Sequence, residues 1–240
     1  MKSPEEAYAE QIDTGHRRRL GQYFTPKQAA DMMARWIADH DGAVTILDPA
    51  VGLGIFFRSL MERCPGRKFT FTGYDIDPKM LERAKAVLSG EQVSLFAADF
   101  LTSDWDAQYD GIICNPPYIK FKSYEPKDTL LTLFSHKLGV KLSGFSNLYT
   151  LFLLKALHQL APGGRAAFIV PSEFMNADYG VQIKEAFIRS GLLKRVLIFD
   201  SRTGLFEDAL TTSTILLFAN DGRRDPVEFV TVEHMEQLGK

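Results

Sequence analysis

The stretch VTILDPAVGLGIF, residues 44–56, joins a β-branched run to a glycine-containing loop and then to the start of a helical pattern. Gly52 and Gly54 allow the backbone after the strand to approach a ligand closely before the helix begins. The G-x-G-x-x-G fingerprint of dinucleotide-binding folds is not met, because position 57 is Phe. The stretch therefore predicts a strand–loop–helix unit, and by itself it is equally typical of an ordinary glycine-rich turn.

Short β-branched or aromatic runs recur along the rest of the chain, and helical patterns separate most of them; these runs lie at 68–75, 93–98, 111–114, 165–170, 195–199 and 212–219. Between residues 149 and 160 the apolar positions follow i, i+3, i+4, i+7 spacing, which indicates an amphipathic helix. Strand–helix alternation predicts an α/β fold with a mostly parallel sheet covered on both faces. Ligands of such sheets bind beyond the carboxyl ends of the strands.

The composition is that of an ordinary globular protein: 240 residues, of which 45% are hydrophobic and 24% charged. No apolar run approaches the roughly 18 residues of a membrane span, and the amino-terminal MKSPEEAYAE lacks the apolar core of a signal peptide. Cys64 and Cys114 have no metal-ligand spacing, so we expect no metal site and a cytoplasmic location. With a net charge of −2, nucleic-acid binding would need a local basic patch.

Acidic residues follow the second and third predicted strands. Asp75 lies 21 residues beyond Gly54, close to the spacing at which a carboxylate holds the hydroxyls of a ribose. Asp77, followed by Pro78, predicts a helix N-cap instead. A ribose acid without phosphate-type glycine spacing suggests a nucleoside cofactor that has no pyrophosphate. Asp99 and Phe100, after the third strand, could offer a purine an acceptor and an apolar face.

The fourth strand ends in GIICNPPYIKF, residues 111–121. Pro116 and Pro117 lack backbone N–H groups and fix φ near −65°, so the segment is stiff and cannot continue a sheet ladder. It therefore gives Asn115 and Tyr118 defined directions. In an arbitrary sequence Asn-Pro-Pro-Tyr would usually be a surface turn. Here it follows a predicted strand, which is the position that a role in a binding site at the strand ends requires.

The order of these motifs resembles that of the S-adenosylmethionine-dependent DNA adenine-N6 methyltransferases, from about residue 20 to about residue 232. The motifs that carry the resemblance are GQYFTP (21–26), the glycine loop, Asn-Pro-Pro-Tyr, NLY (147–149), GGRAAFIVPSEF (163–174) and LFEDALTTSTILLF (205–218). The resemblance implies a Rossmann-like, seven-stranded class I methyltransferase fold with an antiparallel strand near the carboxyl terminus. It also implies S-adenosyl-L-methionine as cofactor, an adenine of double-stranded DNA as substrate, and a place in a restriction-modification or phage-defence system.

The resemblance also assigns roles to residues. Cofactor-binding residues are expected at Tyr23, Thr25, Asp48, Pro49, Ala50, Gly52, Gly54, Asp75, Ile76, Asp99, Phe100 and Asn115; catalytic residues at Asn115, Pro116, Pro117, Tyr118 and Phe206. The Asn115 side-chain oxygen and the Pro116 carbonyl would accept hydrogen bonds from the adenine N6 as charge develops on it. Tyr118 and Phe206 would flank a base swung out of the duplex. The FTP part of the upstream motif also predicts a helix cap, with Thr25 as N-cap and Pro26 as the first helical residue.

Similar tetrapeptides occur in methyltransferases that act on glutamine of release factors or on guanine N2 of ribosomal RNA, but those enzymes lack GQYFTP just upstream of the glycine loop. Cytosine-N4 enzymes more often have Ser in place of Asn115. A non-catalytic subunit that binds S-adenosylmethionine and DNA is a further alternative, which the intact Asn115 and Tyr118 disfavour.

The connection 119–146 is long and basic, with five lysines against two acidic residues, and it resembles a loop that tracks DNA phosphates. A solvated loop is an equally good interpretation. HRRRL (16–20) is a second basic cluster. We expect a helical extension over 1–20 and a catalytic domain over 21–240 without a target recognition domain, so that a specificity domain or subunit would choose the DNA sequence.

Overall fold

The computed structural model describes residues 3–9, 21, 23–88, 92–121, 124, 127–139, 147–176, 180–199 and 213–239. Within these residues the centre of the fold is one eight-stranded sheet with the order β3-β2-β1-β4-β5-β7-β6-β8. Its strands are β1 (Thr45–Asp48), β2 (Thr70–Asp75), β3 (Val93–Ala97), β4 (Tyr109–Cys114), β5 (Leu160–Pro171), β6 (Leu193–Phe199), β7 (Ser213–Ala219) and β8 (Glu228–Val232).

The sheet is mostly parallel, as the strand–helix alternation predicts. The pairs β1/β2, β2/β3, β1/β4, β4/β5 and β6/β8 are parallel, whereas β7 runs antiparallel to both of its neighbours, β5 and β6. The expectation of an antiparallel strand near the carboxyl terminus is therefore confirmed. The strand order reverses between β1 and β4, which places a topological switch point, and hence a binding crevice, at their carboxyl ends.

Helices pack on both faces of the sheet. They are α1 (Pro4–Ala9), α2 (Lys27–Ala38), α3 (Ile55–Arg63), α4 (Pro78–Val87), α5 (Lys127–Leu138), α6 (Tyr149–His158) and α7 (Gly180–Ser190), with 3₁₀ turns at Ser172–Met175 and Met235–Gly239. The strand period of two assigns alternate residues to opposite cores. In β5, Phe168 and Val170 pack with α5, α6 and α7, whereas Ala167 and Ile169 pack with α2 and α3.

The helix predicted from the spacing at 149–160 is confirmed as α6. Tyr149, Phe152, Leu153 and Ala156 are all buried in the core between this helix and the sheet. The predicted cap at Asp77 is also confirmed: its side chain accepts a hydrogen bond from the Lys79 N–H at 3.0 Å, with Pro78 at the first helical position of α4.

Two sequence predictions about the architecture were wrong. Within the described residues the sheet has eight strands and not seven, because β8 forms the edge next to β6. The sequence of β8 gives little indication of a strand, because the strand is short and follows a polar loop. In the structure it lies at the edge of the sheet, where Phe229 is 65% exposed. The connection 119–146 is also not one long loop. It contains α5, which buries Leu130 and Phe134 four residues apart in the core.

Among the residues described above, no helix is long and apolar enough to cross a membrane.

Candidate active site

A cavity of about 270 Å³ opens at the carboxyl ends of the first four strands, where the switch point predicts a binding site. Residues from all four strand ends and from the segment before α2 line it. Of the residues expected to bind cofactor or substrate, the cavity wall includes Tyr23, Pro49, Ala50, Gly52, Asp75, Ile76, Asp99, Phe100, Asn115 and Pro117.

Five other expected site residues do not line this cavity: Thr25, Asp48, Gly54, Pro116 and Tyr118. Phe206 lies outside the described residues. Thr25, Asp48 and Pro116 are buried. Thr25 and Asp48 could therefore act on the cavity only through the residues that they hold in place.

The two loop glycines have different surroundings. Gly52 has φ +53°, and a Cβ added to it would meet no atom of the described part of the chain within 4 Å, so its backbone is open to an approaching ligand. Gly54 has φ +76°, but its added Cβ would lie 2.6 Å from Leu88. Gly54 therefore allows the start of α3 to pack closely on the end of α4, and the close-approach role expected of both glycines is left to Gly52.

Asp75 lies at the end of β2 with both carboxylate oxygens held by the backbone. Its Oδ2 accepts from the Gly52 N–H at 3.2 Å and its Oδ1 from the Asp77 N–H at 2.9 Å. Each carboxylate oxygen has a further lone pair available to a ligand. Burial raises the pKa of Asp75 to about 6, although the hydrogen bonds from Asp77 and Gly52 oppose the shift. The carboxylate is thus ionised at neutral pH but close to its titration range.

Asp99 and Phe100 form the wall next to Asp75. Asp99 Oδ1 accepts from the Leu101 N–H at 2.8 Å, and its Oδ2 accepts from the Tyr124 hydroxyl at 2.5 Å. Burial and the Asp99 carboxylate raise the pKa of Tyr124, so the phenol keeps its proton. The ring of Phe100 is buried beside Phe152, with the ring centres 5.4 Å apart. This wall combines a carboxylate acceptor with flat apolar surface.

The Asn115 side chain is oriented by the segment that precedes α2. Its Nδ2 donates to the Tyr23 carbonyl at 2.8 Å and to the Thr25 hydroxyl at 3.1 Å. Its Oδ1 is buried and has no hydrogen-bond partner among the residues that the structure describes. An unsatisfied buried acceptor costs about 1–3 kcal/mol, and such groups call for an explanation.

The same contacts correct the prediction for Thr25. Helix α2 begins at Lys27 with Pro26 at the N-cap position, and no side chain of the described residues caps it. The Thr25 hydroxyl instead accepts from Asn115, 90 residues away in the sequence. A long-range contact has replaced the expected local one.

Tyr118 is packed against aromatic neighbours. Its ring stacks on Tyr23 with 5.3 Å between the ring centres, and meets the edge of Tyr149 at 6.2 Å. Its hydroxyl donates to the Ile169 carbonyl in β5 at 3.1 Å. A base that stacks on Tyr118 would therefore share the ring with Tyr23 or displace it.

Asp48 lies beneath the cavity, fully buried at the end of β1. Its Oδ1 accepts from the Ala50 N–H at 3.0 Å and so fixes the turn that carries Pro49 and Ala50 into the cavity wall. Burial raises the pKa of Asp48 well above its usual range, which favours the neutral carboxyl at this position.

Residues 6–239 match the profile of the family described as N-6 DNA Methylase. The chain belongs to the N-6 DNA Methylase family. It is 41% identical, over 99% of its length, to the Type II methyltransferase M.AccI of Acinetobacter calcoaceticus. The chain spans only 44% of the length of that relative.

Solved structures show the same fold. A Listeria monocytogenes protein described as a class I S-adenosylmethionine-dependent methyltransferase superimposes with a TM-score of 0.75 at 18% identity, over 98% of this chain and 71% of that one. A DrdV–DNA complex superimposes with a TM-score of 0.72 at 14% identity, over 97% of this chain and 30% of that one. The expected class I methyltransferase fold is thereby confirmed, with one strand more than predicted.

Sequence reasoning missed several residues of the cavity wall in this N-6 DNA Methylase chain: Gly21, Phe24, Met80, Ala98, Ile119, Tyr124, Leu148 and Phe152. Gly21 and Phe24 belong to the motif GQYFTP, so that motif was the signal for them. Phe152 had the spacing of an ordinary core residue of α6, and nothing in that spacing distinguishes a core position from a cavity wall.

The basic residues proposed to meet DNA are only partly described. Lys120 is exposed, whereas Lys137 pairs with Asp106 at 3.0 Å. Lys122, Lys141 and HRRRL (16–20) lie outside the described residues. The contact with phosphates therefore stays a prediction.

Proposed function

We propose that this chain transfers a methyl group from S-adenosyl-L-methionine to N6 of an adenine in DNA, with Asn115 as the residue that meets the amine. The observation that carries the proposal is the Asn115 side chain, held through Nδ2 by two acceptors while its Oδ1 has no partner among the described residues. Family membership and the 41% identity to a Type II methyltransferase support the same reaction.

The cavity wall suits a nucleoside cofactor. Asp75 has lone pairs available to accept hydrogen bonds from two ribose hydroxyls. Asp99 likewise has lone pairs available to accept from the exocyclic amine of an adenine. Ile76 and Phe100 add apolar surface for the purine ring. When bound here, S-adenosylmethionine supplies an electrophilic methyl group on a sulfonium sulfur.

The contribution of the chain to catalysis is electrostatic. An adenine N6 lone pair is delocalised into the ring, so an acceptor that binds the N6 hydrogens favours the nucleophilic, pyramidal form of the nitrogen. As positive charge develops on N6, the Asn115 oxygen and the Pro116 carbonyl would stabilise it from positions that are already fixed. No residue has to act as a strong base, because the amine proton becomes acidic once N6 is cationic.

Aromatic rings would hold the extruded base. Tyr118 is the proposed stacking partner, and Phe206, outside the described residues, is proposed for the opposite side. Double-stranded DNA as substrate, a specificity domain or subunit, and a restriction-modification or phage-defence setting are parts of the same proposal. The cytoplasmic location stays a prediction.

Nucleoside analysis after methylation tests the reaction. The chain is incubated with methyl-labelled S-adenosylmethionine and unmethylated DNA, and the DNA is digested and analysed by mass spectrometry for N6-methyladenine. Asn115→Ala should abolish transfer while titration calorimetry still shows cofactor binding. Asn176→Ala, an amide that does not line the cavity, is the matched control and should leave transfer unchanged.

Methyl groups found only on RNA or on protein glutamine, and never on adenine in DNA, would refute the substrate assignment. Full activity of Asn115→Ala would remove Asn115 from the proposed role.

A further inference from the structure

Lys155 of α6 is a completely buried lysine. Its Nζ donates to the Phe100 carbonyl and, at 2.9 Å, to the Ser103 carbonyl. The same nitrogen lies 4.4 Å from the ring centre of Phe100 and 4.9 Å from that of Trp105. Within the described residues no acidic group forms an ion pair with it. Lysine is almost never fully buried unless paired, so its position here calls for a reason.

The residues that Lys155 contacts belong to the loop 99–105, which leaves β3 and forms one wall of the cavity. Other side chains hold three more carbonyls of this loop: those of Asp99 (from Ser103 Oγ, 2.6 Å), Leu101 (from Trp105 Nε1, 3.1 Å) and Asp104 (from Gln159 Nε2, 3.1 Å). Lys155 lies in the last turn of α6, and Gln159 directly follows the last residue of this helix. The end of α6 therefore clamps the loop 99–105 by donating hydrogen bonds to backbone carbonyls of the loop.

The clamp acts on the two loop residues that line the cavity. Phe100 is held twice by Lys155, through its carbonyl and through the face of its ring. On its other sides the ring packs against Tyr74 and Phe152, at 5.7 and 5.4 Å between ring centres. Asp99 precedes it directly, so a shift of the Phe100 backbone would move the Asp99 carboxylate.

We propose that Lys155 is a positioning residue for recognition of the cofactor adenine: by fixing the loop 99–105, it sets where the Asp99 carboxylate and the Phe100 ring stand in the cavity. The inference rests on the proposed function, because it assumes that the cavity binds an adenine nucleoside. According to this inference, Lys155, a buried residue that does not line the cavity, controls which purine the cavity binds.

The chemistry of the ammonium group explains the choice of residue. Its N–H donors can satisfy two carbonyls at once, and its positive charge is attracted by the faces of two aromatic rings. An apolar side chain of about the same length would leave the two carbonyls without these donors. Burial lowers the pKa of Lys155 to about 7, with Asp104 and Asp99 opposing the shift, so the position costs free energy that the fold must recover elsewhere.

Discrimination between purines follows from the position of Asp99. Both Asp99 oxygens already accept one hydrogen bond, from Leu101 N–H and the Tyr124 hydroxyl, and each has another lone pair. An adenine amine can donate to such an oxygen. A hypoxanthine presents a carbonyl at the same position, which the carboxylate repels. If the loop 99–105 is no longer fixed, the difference in affinity between adenine and hypoxanthine ligands should become smaller.

The test compares two ligands with the full chain, S-adenosylhomocysteine and its hypoxanthine counterpart S-inosylhomocysteine, by titration calorimetry. Lys155→Met removes the charge and the donors and keeps most of the stem, and Lys155→Leu, which also lacks both, serves if the Met variant does not fold. Leu153→Ala is the matched control, since Leu153 is buried on the same helix but does not line the cavity.

We expect the wild-type chain to prefer the adenine ligand, and the preference to fall at least fivefold in the Lys155 variant. Leu153→Ala should lower the melting temperature without changing the ratio of the two affinities. An unchanged ratio in a folded Lys155 variant would overturn the role of Lys155 alone. A wild-type chain that binds neither ligand would instead overturn the proposed function.

Discussion

The affinity for cofactor should depend on pH through Asp75. Each of its oxygens accepts one backbone N–H, so the ionised carboxylate has an acceptor on each oxygen for the two ribose hydroxyls. Protonation turns one of these acceptors into a donor, and both hydroxyls can then no longer be accepted together. We therefore expect binding to weaken as the pH falls through the pKa of Asp75, which is about 6.

The size of the effect follows from the ionised fraction. Near pH 7.5 almost every Asp75 is ionised, whereas near pH 5 roughly a tenth is, so the affinity should fall roughly tenfold, or about 1.4 kcal/mol. The contribution of Asp75 to folding stability changes with pH in the opposite direction. Because the pKa in the folded state is raised, the contribution of Asp75 to stability is fully present below its unfolded pKa and is lost as the pH rises through about 6.

Titration calorimetry with S-adenosylhomocysteine between pH 5 and pH 8 measures this dependence. Asp75→Asn should bind more weakly at pH 7.5 and should lack the tenfold change; the ligand's own titration is common to both proteins and cancels in the comparison. Asp106→Asn, a change at a carboxylate 86% exposed, should reproduce the wild-type profile. A wild-type profile that runs parallel to that of Asp75→Asn would refute the reasoning.

Two further pairs of substitutions test the loop and the amide. Gly52→Ala and Gly66→Ala should each cost about 1–2 kcal/mol of unfolding free energy in urea, because both glycines have positive φ and open space around an added Cβ, but only Gly52→Ala should weaken S-adenosylhomocysteine binding. Equal affinities for the two variants would contradict the role of Gly52. Thr25→Val removes one of the two acceptors that orient Asn115, so methyl transfer at saturating cofactor should fall about fivefold for a bond worth about 1 kcal/mol, while Thr25→Ser should retain the rate. Identical rates for Val and Ser would show that the hydroxyl does not orient the amide.

Much of the site could be predicted from the sequence because strand ends carry it. Parallel strands place their carboxyl ends at one edge of the sheet, so Asp75, Asp99 and Asn115 meet in one cavity although 40 residues separate the first from the last. The alternation of strands and helices is enough to predict that meeting. It depends on topology and not on the details of packing.

The contacts that orient these residues could not be predicted in the same way. Thr25 follows a local rule for helix caps, but the Asn115 amide at the end of β4 offers its hydroxyl a tertiary partner, and that contact replaced the cap. Gly54 fits a ligand loop by its spacing, yet it is needed for packing against Leu88. Lys155 lies within an apolar helical pattern, where a lysine predicts a solvent-facing position, and it is instead fully buried. In each case a distant partner decides the role.

The polar groups of the cavity differ in how fully the fold satisfies them. Both oxygens of Asp75 and both of Asp99 accept a hydrogen bond from within the chain, so these carboxylates are held in place before any ligand arrives. The Asn115 amide is satisfied on its nitrogen alone, and its oxygen has no donor among the described residues. A carboxylate that binds a neutral nucleoside interacts with the same groups before and during the reaction, so it can be fully hydrogen-bonded in advance. An acceptor that stabilises a charge appearing during a reaction gains most when nothing else competes for it, because its interaction is then stronger in the transition state than in the ground state. The rigid prolines after Asn115 and the two acceptors on its nitrogen maintain this unsatisfied oxygen, whose cost of about 1–3 kcal/mol the rest of the fold must offset.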